Sequence, residues 1–318
     1  MKTYHYINLA ALAVLALFQT ACNKPNQNPN NNGPGGTIVF GEAVDEVASA
    51  SLGSNTSSVL FQGLDPSWTP DGRIVFDLWG EYTANKHEQI VVANANGTGN
   101  QILVDLGQYN SALYANPKMS RDGKFVSFNF YDGVNFVPVG LKIFQTNGTL
   151  VYTGKNIWDA SWAADGSLIA SGTVYSLDAG SAKNYGTPGL FKISSDFTQT
   201  TAFGTGLTNP WYPSISPDGK KVAFAMNNHI WTLNIDGTAL TQITTGPNEE
   251  TYSTWSPDGN SIAMVSAGDI GLTSGNAVAI VSSKPANPVT VSQSENVWVK
   301  DKNNTVGLLN PVGNISWK

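Results

Sequence analysis

Pro213-Ser214-Ile215-Ser216-Pro217-Asp218-Gly219-Lys220-Lys221-Val222-Ala223-Phe224 reads as two short strands joined by a tight turn. Proline presets φ at the first central position, aspartate bonds the backbone two residues on, and glycine supplies the positive φ that closes the turn. The apolar residue before the turn and the apolar run after it fit paired strands lying on a core. The same string recurs at 66–76, 117–128, 161–170 and 253–264. Its aspartates stand at 71, 122, 165, 218 and 258, giving spacings of 51, 43, 53 and 40 residues. Those spacings match one four-stranded unit of a radially repeating β-fold.

Several units carry a second hairpin further on, as in Ile90-Val91-Val92-Ala93-Asn94-Ala95-Asn96-Gly97-Thr98 and Ile230-Trp231-Thr232-Leu233-Asn234-Ile235-Asp236-Gly237-Thr238. Asn-Gly and Asp-Gly suit the positive φ of a two-residue turn, so each unit holds two hairpins, or four strands. The chain ends on Val312-Gly313-Asn314-Ile315-Ser316-Trp317-Lys318, the first half of a unit up to its tryptophan. Gly35-Gly36-Thr37-Ile38-Val39-Phe40 matches the half that follows Asp-Gly elsewhere. One unit is therefore expected to take its innermost strand from the C-terminus and the others from 37–62, which closes the ring and removes free sheet edges. The 62 residues from Trp255 to Trp317 are too few for two more units. The expected fold is all-β, a six-bladed β-propeller whose last blade is closed by pairing of the N- and C-terminal strands.

These repeats, of the WD40-like class, closely resemble those of TolB-type propellers, which also form the propeller parts of some bacterial peptidases. The resemblance covers residues 37–318 and implies a scaffold, since a fold of this kind hosts many functions.

The first residues are laid out as a secretory signal, with Lys2, an apolar run from Leu9 to Phe18, and then Gln19-Thr20-Ala21-Cys22. Ten apolar residues are too few to span a bilayer. The chain's single cysteine follows the small Ala21 and resembles a bacterial lipoprotein box, which implies a diacylglycerol on Cys22 and a lipid-anchored protein of the Gram-negative envelope, at the outer membrane. Residues 1–21 are thus expected to be a signal peptide. Residues 22–36, rich in Asn, Pro and Gly with nothing apolar to bury, are expected to be a flexible tether, and 37–318 the propeller. The chain has 17 Lys and Arg against 23 Asp and Glu, a net charge of −6, which argues against a nucleic-acid partner. With no cysteine left for disulfides, stability has to come from a core, and 41% apolar residues in a chain of this size supply one. A monomer is expected.

Propellers bind ligands where loops entering the innermost strands converge on the central channel. The residues just before those strands are Asp65, Asn116, Asp159, Tyr212, Tyr252 and Asn314, with Trp158, Trp211 and Glu250 beside them. Carboxylates, amides and aromatics around one axis can hold a sugar, a cationic group of a peptide or a metal ion, or they can merely cap strands and fill the channel. Trp211 is expected to be a mouth residue outside the core. Trp68, Trp162, Trp255 and Trp317 share one repeat position and are expected between blades. Trp79, Tyr82, Tyr131, Tyr175 and Tyr185 lie off the repeat, in loops where binding often resides.

No catalytic residue is assigned. His87 and His229 stand far apart, so no histidine cluster of metal-ligand spacing exists, no cofactor is expected, and no Gly-x-Ser-x-Gly elbow occurs. The expected function is a non-catalytic, lipid-anchored binding or scaffolding protein engaging an envelope protein or a glycan. The alternative is a carbohydrate-active enzyme, a glycoside hydrolase or lyase, using carboxylates such as Asp65 and Asp159 at the channel mouth.

Overall fold

The structure is a computed structural model that describes residues 35–318 apart from 43–44, 53–55, 80–82, 84–86, 108–111, 133–137, 174, 179–180, 185–187, 270–273, 292–296 and 300–310. Residues 1–34, which include Cys22 and the expected signal peptide and most of the expected tether, lie outside the described residues, as do Tyr82 and Tyr185.

Six four-stranded antiparallel sheets form the blades, and in five of them the strands run in chain order from the inside outward. Blade 1 begins with Leu64–Trp68 and blade 2 with Ala112–Met119. Blade 3 begins with Ile157–Trp162, blade 4 with Trp211–Ile215 and blade 5 with Glu249–Trp255. In blade 6 the innermost strand is Pro311–Trp317, paired with Thr37–Glu42 in the register Ile38 to Trp317, Val39 to Ser316 and Phe40 to Ile315. Chain start and chain end share one sheet, as the half-repeats at the two ends require. Pro311–Trp317 packs against the inner strands of both blade 5 and blade 1, so the ring is closed.

The alternation after each Asp-Gly decides which neighbour a side chain meets. In blade 4, Val222 and Phe224 pack on blade 3 with Ile169 and Leu190, while Ala223 and Ala225 pack on blade 5 with Trp255, Ile262 and Met264. Ile38 and Phe40 likewise face blade 5, and Val39 faces Ile74 and Phe76 of blade 1. Six apolar clusters result, one for each junction between blades. Burial of these faces on both sides is what drives the sheets together.

The turns that revealed the repeat form by local chemistry. In blade 2 the Ser120 hydroxyl donates to Oδ1 of Asp122 at 2.7 Å, and the same carboxylate accepts the Lys124 amide at 3.1 Å. Phe125 donates its amide to Ser120 Oγ at 2.9 Å. Ser216 with Asp218 and Ser256 with Asp258 repeat this arrangement. Blade 3 has Ala163 in place of the serine, and there Asp165 takes the Ser167 amide and hydroxyl instead.

The repeat tryptophans join blades through their indole N–H. Trp162 donates to the Lys118 carbonyl of blade 2 at 3.1 Å, Trp255 to the Ser214 carbonyl of blade 4 at 2.9 Å, and Trp68 to the Thr37 carbonyl of blade 6 at 3.1 Å. Trp317 donates to the Gly35 carbonyl beside its own blade. Trp162, Trp255 and Trp317 are buried and Trp68 is half-buried, which agrees with a place between blades.

Candidate functional site

Each innermost strand breaks register near its start. The shift lies between Leu64 and Ser67 in blade 1, Ala115 and Lys118 in blade 2, Ile157 and Asp159 in blade 3, Trp211 and Ser214 in blade 4, and Thr251 and Thr254 in blade 5. Asp65, Asn116, Tyr212 and Tyr252 sit at these bulges with φ of 48°, 55°, 52° and 48°. In blade 6 the left-handed residue is Gly313, with φ of 70°. Asp and Asn tolerate this region through their short polar side chains; Tyr does so only where its surroundings hold it there. A bulge re-aims the side chains beside it, so the alternation of each inner strand is interrupted at these positions.

The nine residues singled out by position become a belt of contacts from blade to blade. Asp65 accepts the Asn314 amide at 3.1 Å and the Asn116 amide at 3.4 Å, joining blade 1 to blades 6 and 2. Asn314 Nδ2 donates to Ser67 Oγ at 2.6 Å. Asp159 of blade 3 receives Lys118 Nζ of blade 2 at 2.9 and 2.7 Å, and the same ammonium reaches the Ala160 carbonyl at 3.0 Å. Trp158 of blade 3 stacks on Trp211 of blade 4 with centroids 4.1 Å apart at 16°. Tyr212 of blade 4 stacks on Tyr252 of blade 5 at 3.9 Å and 28°, and Tyr252 also packs on the blade 5 and 6 core.

Glu250 is wholly buried. Its Oε2 is 2.8 Å from His229 Nδ1 and accepts the Thr244 hydroxyl at 2.9 Å. Asn116, Asp159 and Asn314 are buried, and Asp65 with the four aromatics is half-buried. Trp211 departs from the expectation of a place outside the core, because it packs against the core cluster of blades 4 and 5. Its flat indole lies on the bulged start of an inner strand, where the next blade covers one side of it.

Burial dominates the charge states. It pushes the Asp65 carboxyl up against the pull of the Asn314 and Asn116 amides, and the Asp159 carboxyl up against the pull of Lys118. Glu250 is raised by burial with His229 and Thr244 opposing. Tyr131, Tyr212 and Tyr252 are all raised by burial, and at Tyr131 the charges of Asp65 and Asp159 add to the rise. Asp77, wholly buried on the second strand of blade 1, is pushed well up by burial and by Glu88 and Asp65.

Two concavities adjoin the belt. A cavity of about 590 Å³ runs along the axis from Asp159, Tyr212, Tyr252 and Asn314 to the turns at Pro70, Pro217 and Pro257. Ser67, Ser161, Ser214, Thr254 and Ser316, one repeat position, line it together with Lys118. Ser316 and Ser161 accept the Trp68 and Ile215 amides of the neighbouring blade, both at 3.1 Å. At the turn end Arg121 reaches from blade 2 to the Ser216 and Pro217 carbonyls of blade 4, both at 3.1 Å. The second, of about 380 Å³, lies at the opposite end of the inner strands, between blades 4 and 5.

Position alone did not single out Lys118, Arg121 or Thr244. Two of them left a signal: Lys118 fills a slot that is Ser or Thr in the other five copies, and Arg121 one that is Pro or Ala in the other four turns. Of the loop aromatics, Trp79 and Tyr131 are half-buried. Tyr175 opens an extra hairpin, Tyr175–Asp178 with Ser181–Asn184. Among the described residues no three of His, Cys, Asp and Glu converge as a metal site.

No protein-family model matches the sequence, and no curated protein matches it. Solved structures do match in shape. TolB from Acinetobacter baumannii superposes with a TM-score of 0.61 at 16% identity, over 89% of this chain and 66% of that one. A TolB from Agrobacterium tumefaciens gives 0.55 at 14% identity, over 90% of this chain and 99% of that one. A puromycin-hydrolyzing peptidase from Mycobacterium tuberculosis gives 0.52 at 13% identity, over 84% of this chain and 42% of its own length. With its own six closed blades, the chain has the fold of a TolB-type six-bladed β-propeller.

Proposed function

We propose that this protein is a non-catalytic binding or scaffolding module, held to the Gram-negative outer membrane by a lipid on Cys22, that engages an envelope protein or a glycan at its channel. The observation that carries the reading is the aromatic run Trp158, Trp211, Tyr212 and Tyr252 across three blades, whose outer pairs stack at 4.1 and 3.9 Å and whose middle pair is tilted at 5.7 Å, with Tyr212 and Tyr252 lining an axial cavity of about 590 Å³. Rigid aromatic surface on a closed scaffold binds at low entropic cost. The carboxylates favour binding over hydrolysis. Asp159 is paired with Lys118, and Asp65 accepts two backbone amides, so both carboxylates have structural partners within the ring.

Two measurements test this. Cys22→Ser should move the protein from the membrane to the soluble fraction, because the acyl chains contribute ~0.8 kcal/mol per buried CH₂. A variant that still pelleted with membranes after a salt wash would remove the anchor from the proposal. Affinity capture of envelope proteins and glycans should be lost with Trp211→Ala and Tyr252→Ala; capture unchanged by both would place the binding surface elsewhere.

A further inference from the structure

The pocket of about 380 Å³ between blades 4 and 5 has an unbalanced chemistry. Its walls include Trp211, Tyr212, Asn227, Asn228, Glu249 and Glu250, and among the described residues no lysine, arginine or histidine lines it, His229 lying behind Glu250. Part of the wall is braced by backbone and ring contacts. Asn227 and Asn228, with φ of 53° and 67°, form the two-residue turn between Lys221–Met226 and His229–Asn234, and the Glu250 amide donates to the Asn228 carbonyl at 2.8 Å. Trp211 is held by its stack on Trp158.

Glu250 gives a second, independent sign. Its Oε2 is engaged by His229 and Thr244, while Oε1, equally buried, has no hydrogen-bond donor. A buried acceptor left unmatched is costly, and such a group calls for an explanation. Glu249, the next residue, is exposed at the same pocket and has no cationic partner among the described residues. Two carboxylates beside an indole and a phenol ring are what an organic cation requires: N–H donors meet the oxygens, and the charge lies against the π-faces. Oε1 is covered in the free protein, so engaging it takes a side-chain shift at the wall, of the kind common at binding surfaces.

We infer that this pocket binds an organic cation, a guanidinium or primary ammonium group, carried either by a basic side chain of a partner protein or by a free cationic metabolite. The inference rests on the reading of the channel mouth as a ligand face, and gives that ligand its charge.

The test is calorimetric titration of the purified full-length protein at low ionic strength with N-acetyl-argininamide, N-acetyl-lysinamide and, as the uncharged isostere, N-acetyl-citrullinamide. Saturable binding of a cationic probe at least tenfold tighter than citrullinamide is expected, with a further tenfold loss in Glu250→Gln. Should that variant fail to fold, Glu249→Lys, at an exposed position, sets its own ammonium in the pocket and should abolish binding. A peptide with one arginine flanked by neutral residues separates the sources: tighter binding than the single amino acid points to a protein-borne cation, equal binding to a free metabolite. Citrullinamide binding as well as argininamide, no binding of any cationic probe, or retention of full affinity in a folded Glu250→Gln or Glu249→Lys would overturn the inference. So would competitive displacement of the probe by micromolar calcium chloride, which would make this a metal site. Partner capture that depends on Trp211 while no cationic probe binds would leave the proposed function standing and remove only this inference.

Discussion

Oδ1 of Asp65 accepts the backbone N–H of Asn314 at 3.1 Å although 249 residues separate the two in the chain. This bond lies on the seam where the last inner strand meets the first, so the strength of ring closure can be read there. Gly313, just before Asn314, has φ of 70°, and a Cβ built on it runs into the same Asp65 oxygen. Gly313→Ala should therefore cost at least ~1–2 kcal/mol from the left-handed backbone alone, with the clash added. Removing residues 314–318, most of an inner strand, should cost far more than five residues elsewhere. Thermal unfolding reports both; a truncated protein melting within a degree or two of the intact one would separate the C-terminus from blade 6.

Lys118 and Asp159 form a buried pair between blades 2 and 3, with side chains 18% and 3% exposed. Lys118→Met leaves a carboxylate in a site where burial already opposes its charge. The expected loss is about 3 kcal/mol, since removing one member of a buried pair strands the other. Lys118→Met with Asp159→Leu should recover most of it. A double variant no more stable than the single one would show that the ammonium's bond to the Ala160 carbonyl, at 3.0 Å, matters more than the pair.

The difference between what the sequence revealed and what it hid lies in the range of the interactions. Ser120, Asp122 and Lys124 make their turn from bonds spanning two to five residues, so composition and order suffice to read it. Pairing of Ile38 with Trp317 was readable for a different reason, because each chain end carries half of a repeat whose complete form occurs elsewhere. The Lys118 and Asp159 pair spans 41 residues and depends on two bulges facing each other across a blade junction, which no local pattern encodes. Left-handed Asp65 and Asn116 suit their residue types, but Tyr212 and Tyr252 have no such preference, and the fold imposes it on them. The core role of Trp211 was hidden likewise: its neighbour Trp158 lies a whole blade earlier.

That double role changes what Trp211→Ala should do. Loss of the stack on Trp158 removes about 0.5–1.5 kcal/mol beyond the burial itself, so the melting temperature should fall by several degrees and not stay level. If Trp211 is also a ligand anchor, binding should weaken by ~2 kcal/mol or more. Measured together, a fall in melting temperature with unchanged affinity would assign Trp211 to packing alone.

The pH profile of stability should have two limbs, because two sets of carboxylates are shifted in opposite directions. Asp122 is lowered to about 2 by the Ser120 hydroxyl and the Lys124 amide, and Asp71, Asp165, Asp218 and Asp258 are lowered by the same kind of turn bonds. A carboxyl depressed in the folded state contributes stability that is complete above its ordinary range and is lost as pH falls through the folded value. The melting temperature should therefore drop from about pH 4 toward pH 2. Asp65, Asp159 and Glu250 are raised, chiefly by burial, so the folded protein holds more protons than the unfolded chain just above the ordinary carboxylate range. Across that window stability declines as pH rises, and the optimum is expected in weak acid. Asp122→Asn should flatten the acid limb and leave the other unchanged, whereas Asp65→Asn should reduce the upper limb alone. Both limbs persisting unaltered in these two variants would mean that the turn and channel carboxylates do not set the profile.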